Sequence, residues 1–175
     1  MGASKAGVML DGRPLIAWVL ASAAAAGLKA VVVVKRDTEL PTLAVPVWHE
    51  PALPWHPLTG LVAAVKRAAP RPVLALACDM PFVTPALLVR LAAAEAVAVC
   101  NPGRVHPFPG RYGPETLDAL RRGLEREAAV RDVLAELAPL ELGDAELREL
   151  GDPARLLLGI NDPAALARAE AVAAG

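Results

Sequence analysis

Three polar signals in the chain fall where an apolar run stops: Cys78-Asp79-Met80-Pro81, Trp48-His49-Glu50 and Asn161-Asp162. In open α/β sheets, ligands bind beyond the carboxyl ends of the strands, so chemistry is expected at these positions. Asp79 is the strongest single candidate. A carboxylate at a strand end suits Mg²⁺ when the substrate is a phosphate, because Mg²⁺ takes one or two carboxylates and completes its shell with phosphate oxygens and water. The competing reading makes Asp79 a cap on the turn into the next helix. Lys5 lies in the glycine-flanked stretch Gly2-Ala3-Ser4-Lys5-Ala6-Gly7. It is either a point cation for phosphate or a solvated lysine near a chain end.

The other candidates are weaker. His106, between Val105 and Pro107, is a lone histidine in an edge strand, where a structural role is the commoner one. His49 and His56 flank a proline-rich loop, without the i, i+4 pair or the cysteine partner that a zinc site needs. Cys78 and Cys100 give neither a disulfide framework nor ligand spacing, which fits a reduced, cytoplasmic setting. No Gly-x-Ser-x-Gly elbow and no Walker A loop occurs, so serine-hydrolase and P-loop chemistry have no support.

The elements that must position these residues alternate. Val31-Val32-Val33-Val34 and the run 72–77 read as strands buried on both faces. Shorter strands are expected at 44–48, 96–100 and 156–160, and an edge strand at 105–112, where two prolines argue against an interior position. Helices are expected over 14–27, 57–69, 84–94, 114–125, 129–138 and 164–173. Pro14 is placed in the first helical turn and Gly27 at the C-cap. Strand–helix alternation of this kind signals an α/β domain with a largely parallel sheet and right-handed crossovers.

Composition bounds the function. At 175 residues the chain is one domain. Hydrophobic residues make up 55% of it, which excludes global disorder, and aromatics only 3%, so the core must be built from Ala, Val and Leu. Eighteen basic and nineteen acidic side chains leave a net charge of −1 and no basic excess for a nucleic acid. No apolar stretch reaches the ~20 residues of a membrane span. Asp11, Gly12 and Arg13 interrupt any signal-peptide core.

In order along the chain, several segments resemble one family. Met1-Gly2-Ala3-Ser4-Lys5, followed by Leu10-Asp11-Gly12-Arg13-Pro14-Leu15-Ile16, looks like the end of the signature L-A-G-G-x-S-x-R-M-G-x-x-K with its later G-x-P-L. His56-Pro57-Leu58-Thr59-Gly60 resembles G-P-L-x-G, and Ala77-Cys78-Asp79-Met80-Pro81-Phe82 matches C-D-M-P-F closely. Val105-His106-Pro107 resembles the H-P segment, and Gly159-Ile160-Asn161-Asp162-Pro163 with Leu166 resembles N-x-N-x-P-x-x-L. The family is molybdenum cofactor guanylyltransferase (MobA-like), within the NTP-transferase superfamily.

The resemblance implies a three-layer Rossmann-like nucleotidyltransferase fold with a mostly parallel central sheet. It implies transfer of GMP from GTP to the phosphate of molybdopterin, with release of pyrophosphate. Carried over by residue, Lys5 and Asp79 are the catalytic pair and Asp79 holds Mg²⁺. Lys5, Glu50, Gly60 and Asp79 bind the nucleotide, while His106 and Asn161 line the acceptor side. Small-molecule substrates, a monomer or homodimer, and transient contacts with other molybdenum cofactor proteins follow from the same likeness. Nucleic acid and membrane are not expected partners.

The departures carry expectations of their own. The L-A-G-G-x-S-x-R stretch, which supplies a central strand and a glycine-rich phosphate nest, is absent from this sequence. The domain over 1–175 is therefore expected to be N-terminally incomplete, through a misassigned start or real loss. His56 stands in place of a glycine, Val34 or Lys35 in place of an asparagine, and Glu50 in place of an aspartate. The alternatives are a related transferase that uses CTP or another acceptor, and a truncated, non-catalytic relative that binds a cofactor or a partner.

Overall fold

The computed structural model describes residues 5–173. The chain enters as a 3₁₀ turn at Lys5–Gly7, then forms a small hairpin of β1 (Met9–Leu10) and β2 (Arg13–Pro14). Asp11 and Gly12 both have positive φ, the conformation that a two-residue type I′ turn requires. α1 (Leu15–Ala25) follows, then β3 (Val32–Val34), β4 (Val47–His49), α2 (Pro57–Ala68), β5 (Val73–Ala75) and α3 (Pro85–Ala92). Next come β6 (Ala98–Asn101), β7 (His106–Tyr112), α4 (Leu117–Glu125) and α5 (Val130–Leu137). The chain closes with β8 (Leu140–Gly143), α6 (Asp144–Leu150), α7 (Pro153–Leu156) and α8 (Pro163–Ala173).

Local chemistry explains most of the helix starts. Pro57 and Pro85 stand in the first turns of α2 and α3, where a missing N–H costs nothing. The side chains of His56 and Thr84 accept from the Leu58 and Leu87 amides and satisfy orphan donors at each N-terminus. Pro14 sits at the N-cap of α1, one place before the first helical residue.

The central layer comes in two pieces. β3 and β4 pair in parallel. β5, β7, β6 and β8 form a four-stranded sheet in that order. β6 and β8 are parallel, and β7 runs against both β5 and β6, so three of the four strands point the same way. α1 and α3 pack together on one face of this layer and α2 with α4 on the other, giving the three layers expected from the alternation. Between β3 and β5 lies an open cleft of about 1020 Å³.

Three expectations need correction. β7 is an interior strand, not an edge. Its register on β6 jumps from Val99↔Gly110 to Cys100↔His106, so Pro107 and Pro109 fall in the irregularity and take no place in the ladder. The run 156–160 is not a strand: it is the end of α7 and an irregular segment. Leu156 and Leu157 are buried in one core cluster and Ile160 in another. The strand that completes the sheet edge is β8, and with α6 it lies in a stretch where the sequence pattern suggested neither.

Candidate active site

Lys35 follows β3 and Glu50 follows β4, so the parallel pairing of these strands delivers both side chains to one strand-end edge. Lys35 Nζ lies 3.1 Å from Glu50 Oε1, with side chains only 11% and 13% exposed. The same ammonium donates to the carbonyls of Pro51 (2.9 Å) and Pro54 (3.3 Å), and Thr59 Oγ1 donates to the Pro54 carbonyl at 3.0 Å. The proline-rich loop before α2 is thus held from below by one buried cation. Trp55, on that loop, is 80% exposed and has Lys35 Nζ 5.0 Å from its ring centroid, within cation–π range.

Glu50 and Gly60 come together. A Cβ on Gly60 would lie 2.6 Å from Glu50 Oε2, so the bare backbone of α2 is what lets the carboxylate sit against the helix. The Glu50 amide also donates to the Val34 carbonyl at 2.9 Å, fixing its backbone to the end of β3.

A second group gathers beyond β5. The Met80 amide donates to the Ala77 carbonyl at 3.3 Å, which closes a turn with Asp79 inside it. Thr84 is the N-cap of α3, so the helix that follows does not use Asp79 as its cap. The Ile160 amide donates to the Asp79 carbonyl at 2.8 Å, and this single bond sets Asn161 one residue from the Asp79 backbone. Asp162 Oδ1 accepts from the Ala165 amide at 2.7 Å and caps α8. His106 begins β7, which runs antiparallel to β5, so it lies toward the carboxyl end of β5, the end at which Asp79 stands. Partial burial holds the His106 imidazole below its ordinary pKa, and the nearby Arg104 and Arg131 push it the same way. The ring is therefore neutral near pH 7 and offers one donor and one acceptor.

Gly60 of the first group and Cys78, next to Asp79, line the cleft. Val34 and Cys78, at the ends of β3 and β5, pack in one cluster with Ala6, so the 3₁₀ turn that contains Lys5 runs between them. The side chain of Lys5 lies outside the described residues. Among those described, no three His, Cys, Asp or Glu side chains gather as a metal cage. One strand-end carboxylate, Asp79, suits a hard divalent cation that the substrate's phosphates also hold, and does not suit an all-protein site. Burial pushes the Cys100 thiol up to about 12, which removes it as a nucleophile.

Sequence reasoning missed Lys35 as a site residue. It noted only the absence of an asparagine near that position. The one available signal was its place at the close of a valine run, three residues after Val32.

The profile of the MobA-like NTP transferase domain matches residues 1–141. The molybdopterin-guanine dinucleotide biosynthesis protein A of Archaeoglobus fulgidus has a similar fold (TM-score 0.82, 22% identity, 99% of this chain and 92% of that chain). So does the 2-C-methyl-D-erythritol 4-phosphate cytidylyltransferase of Thermus thermophilus (TM-score 0.74, 20% identity, 99% and 96%). A Mycobacterium tuberculosis protein solved as a complex with manganese is more distant (TM-score 0.59, 20% identity, 81% and 82%). No curated protein sequence matches. By its matched residues the chain belongs to the MobA-like NTP transferase domain family and is a nucleotidyltransferase.

Proposed function

We propose that the domain transfers GMP from GTP to the phosphate of molybdopterin and releases pyrophosphate. The observation that carries the reading is the Ile160–Asp79 hydrogen bond. It ties the backbone of Asp79, proposed for the nucleotide side, to that of Ile160, next to Asn161 on the proposed acceptor side, across about eighty residues of sequence. The likeness to the Archaeoglobus protein, whose name states guanine dinucleotide biosynthesis, supports the same acceptor.

In this reading the acceptor phosphate attacks the α-phosphorus of GTP in line, the new P–O bond forms, and the bond to the β-phosphate oxygen breaks. Such a step needs positioning and charge neutralisation more than covalent help from the protein. Mg²⁺ held at Asp79 would supply charge neutralisation on the triphosphate. Lys5 adds a cation from the turn between the two groups. Glu50, kept against Gly60 by Lys35, offers a fixed acceptor to the nucleotide. Neutral His106 and Asn161 hydrogen-bond the acceptor without competing for the metal. The reading sets the reaction in the cytoplasm, in keeping with a sequence that has no disulfide framework.

CTP is the second reading, favoured by the likeness to the Thermus cytidylyltransferase. Pyrophosphate release from GTP, CTP and ATP, each with molybdopterin and Mg²⁺, separates the two. Preference for CTP would replace the first reading, and no release with any nucleotide would remove both.

A further inference from the structure

Of the three tryptophans in the chain, two are engaged. Trp18 donates its indole N–H to the Leu10 carbonyl at 3.2 Å and has Arg13 5.2 Å from its ring centroid. Arg67 lies 4.4 Å from the ring centroid of Trp48. Trp55 differs: it is 80% exposed, and Leu53, two residues before it, is 71% exposed. An indole is the largest apolar side chain, and leaving it in water forgoes hydrophobic stabilisation.

The loop that presents Trp55 is built to hold still. The buried Lys35 ammonium donates to the Pro51 and Pro54 carbonyls, and Thr59 Oγ1 donates to the same Pro54 carbonyl. Prolines at 51, 54 and 57 each fix one φ. His56 Nδ1 accepts from the Leu58 amide and caps α2. Trp55 therefore stands between an anchored residue and a helix cap, with its backbone pinned on both sides. A side chain held ready in this way loses little freedom when a ligand covers it.

One ammonium links this ring to the candidate site. Lys35 Nζ lies 5.0 Å from the Trp55 ring centroid and 3.1 Å from Glu50 Oε1. Lys35 is buried, so the ring face it meets is the inner one, and the opposite face is left to solvent. The loop leaves β4 at Glu50 and enters α2 ahead of Gly60, at the strand-end edge where open α/β sheets bind ligands. What fits an open indole face is a second flat ring: nucleobases stack on aromatic side chains, whichever base they are, because every base has a π-face. A protein partner fits less well. Leu53 and Trp55 are the large apolar side chains this loop exposes, against the roughly 20–30 residues a side of a standard interface.

We infer that the outer face of Trp55 is the platform on which the heteroaromatic base of the nucleoside triphosphate stacks, with Lys35 as the positioning residue behind the ring. This role rests on the reading that puts Glu50 and Gly60 on the nucleotide side, and it holds for GTP and CTP alike. Stacking fixes the plane of the base without reading its edge. Trp55 therefore sets affinity for the nucleotide, and the choice among bases falls to other groups.

The test is calorimetric titration of GTP, CTP and inorganic tripolyphosphate, each with Mg²⁺, into the protein, Trp55→Ala and Trp55→Phe. Trp55→Ala should bind GTP and CTP at least about fivefold more weakly, and Trp55→Phe within about threefold of the parent, since a phenyl ring still offers a face. Tripolyphosphate, which has no base, should bind all three forms alike. GTP should quench part of the tryptophan fluorescence of the parent, and Trp55→Phe should lack that part. GTP affinity unchanged in Trp55→Ala overturns the stacking role and leaves the nucleotide reading standing. So does an equal loss of GTP and tripolyphosphate, which would make Trp55 a support of the loop, or a loss confined to molybdopterin, which would put the ring on the acceptor side. A parent that binds neither GTP nor CTP removes the stacking role and the nucleotide reading together.

Discussion

Glu50 Oε2 stands 2.6 Å from the point that a Cβ on Gly60 would occupy. The carboxylate and the helix are therefore fitted to one another: the missing side chain at 60 leaves room for Oε2, while Oε1 meets Lys35. Gly60→Ala should push the flexible end of Glu50 aside at little cost to the fold, since alanine in place of glycine favours a helix by about 0.5–1 kcal/mol. The expected outcome is an unchanged or higher Tm with nucleotide affinity lowered by roughly tenfold, read by calorimetric titration. Undiminished affinity would show that the position of Glu50 does not matter to the nucleotide.

Lys35→Met should be costly in a different way. It leaves a mostly buried carboxylate without its cation and frees two proline carbonyls. Breaking a buried pair from one side costs about 3 kcal/mol or more. Denaturant unfolding should show that loss, and Lys35→Met with Glu50→Gln should recover part of it. A double variant no more stable than the single would argue that the carbonyl contacts, not the pair, hold the loop.

Asp79→Asn keeps the shape of the turn, because the turn is made by the backbone bonds of Ala77, Met80 and Ile160. Turnover should fall ~10²-fold or more as a charge is removed from the metal site, while Tm stays within a few degrees. The Mg²⁺ concentration for half-maximal rate should rise. Near-normal turnover would take Asp79 out of the mechanism.

His106 gives a pH signature. Its folded pKa lies below the ordinary value because of burial first and then Arg104 and Arg131. The unfolded chain then binds a proton that the folded chain refuses. His106 therefore costs nothing well above pH 7, destabilises progressively as pH falls through the unfolded value of about 6.5, and reaches its full penalty below the folded pKa. The parent should lose more Tm between pH 7.5 and 5 than His106→Gln does. Parallel Tm curves would mean that the imidazole titrates alike in both states.

Much of the positioning frame is legible in the residues themselves. The valine run of β3 and the proline-opened, capped α2 and α3 have strong local causes. β8 and α6 do not: Leu140-Glu141-Leu142-Gly143 is too short for a periodic signal, and its place is set by pairing with β6. Leu156-Leu157-Leu158 misleads for the opposite reason, since an apolar run states burial but not conformation. Of the site, Asp79, Asn161, Glu50 and Gly60 are visible as strand-end or motif residues. Lys35 is hidden because a lysine at a strand end looks solvated until the loop of Pro51 and Pro54 is folded over it.

Pyrophosphate release with molybdopterin, run on the protein and on Asp79→Asn, tests the central claim most directly. The account predicts release that requires GTP and Mg²⁺ together with molybdopterin, exceeds that with CTP or ATP, and is lost in Asp79→Asn. No release, or release that survives Asp79→Asn, would contradict it.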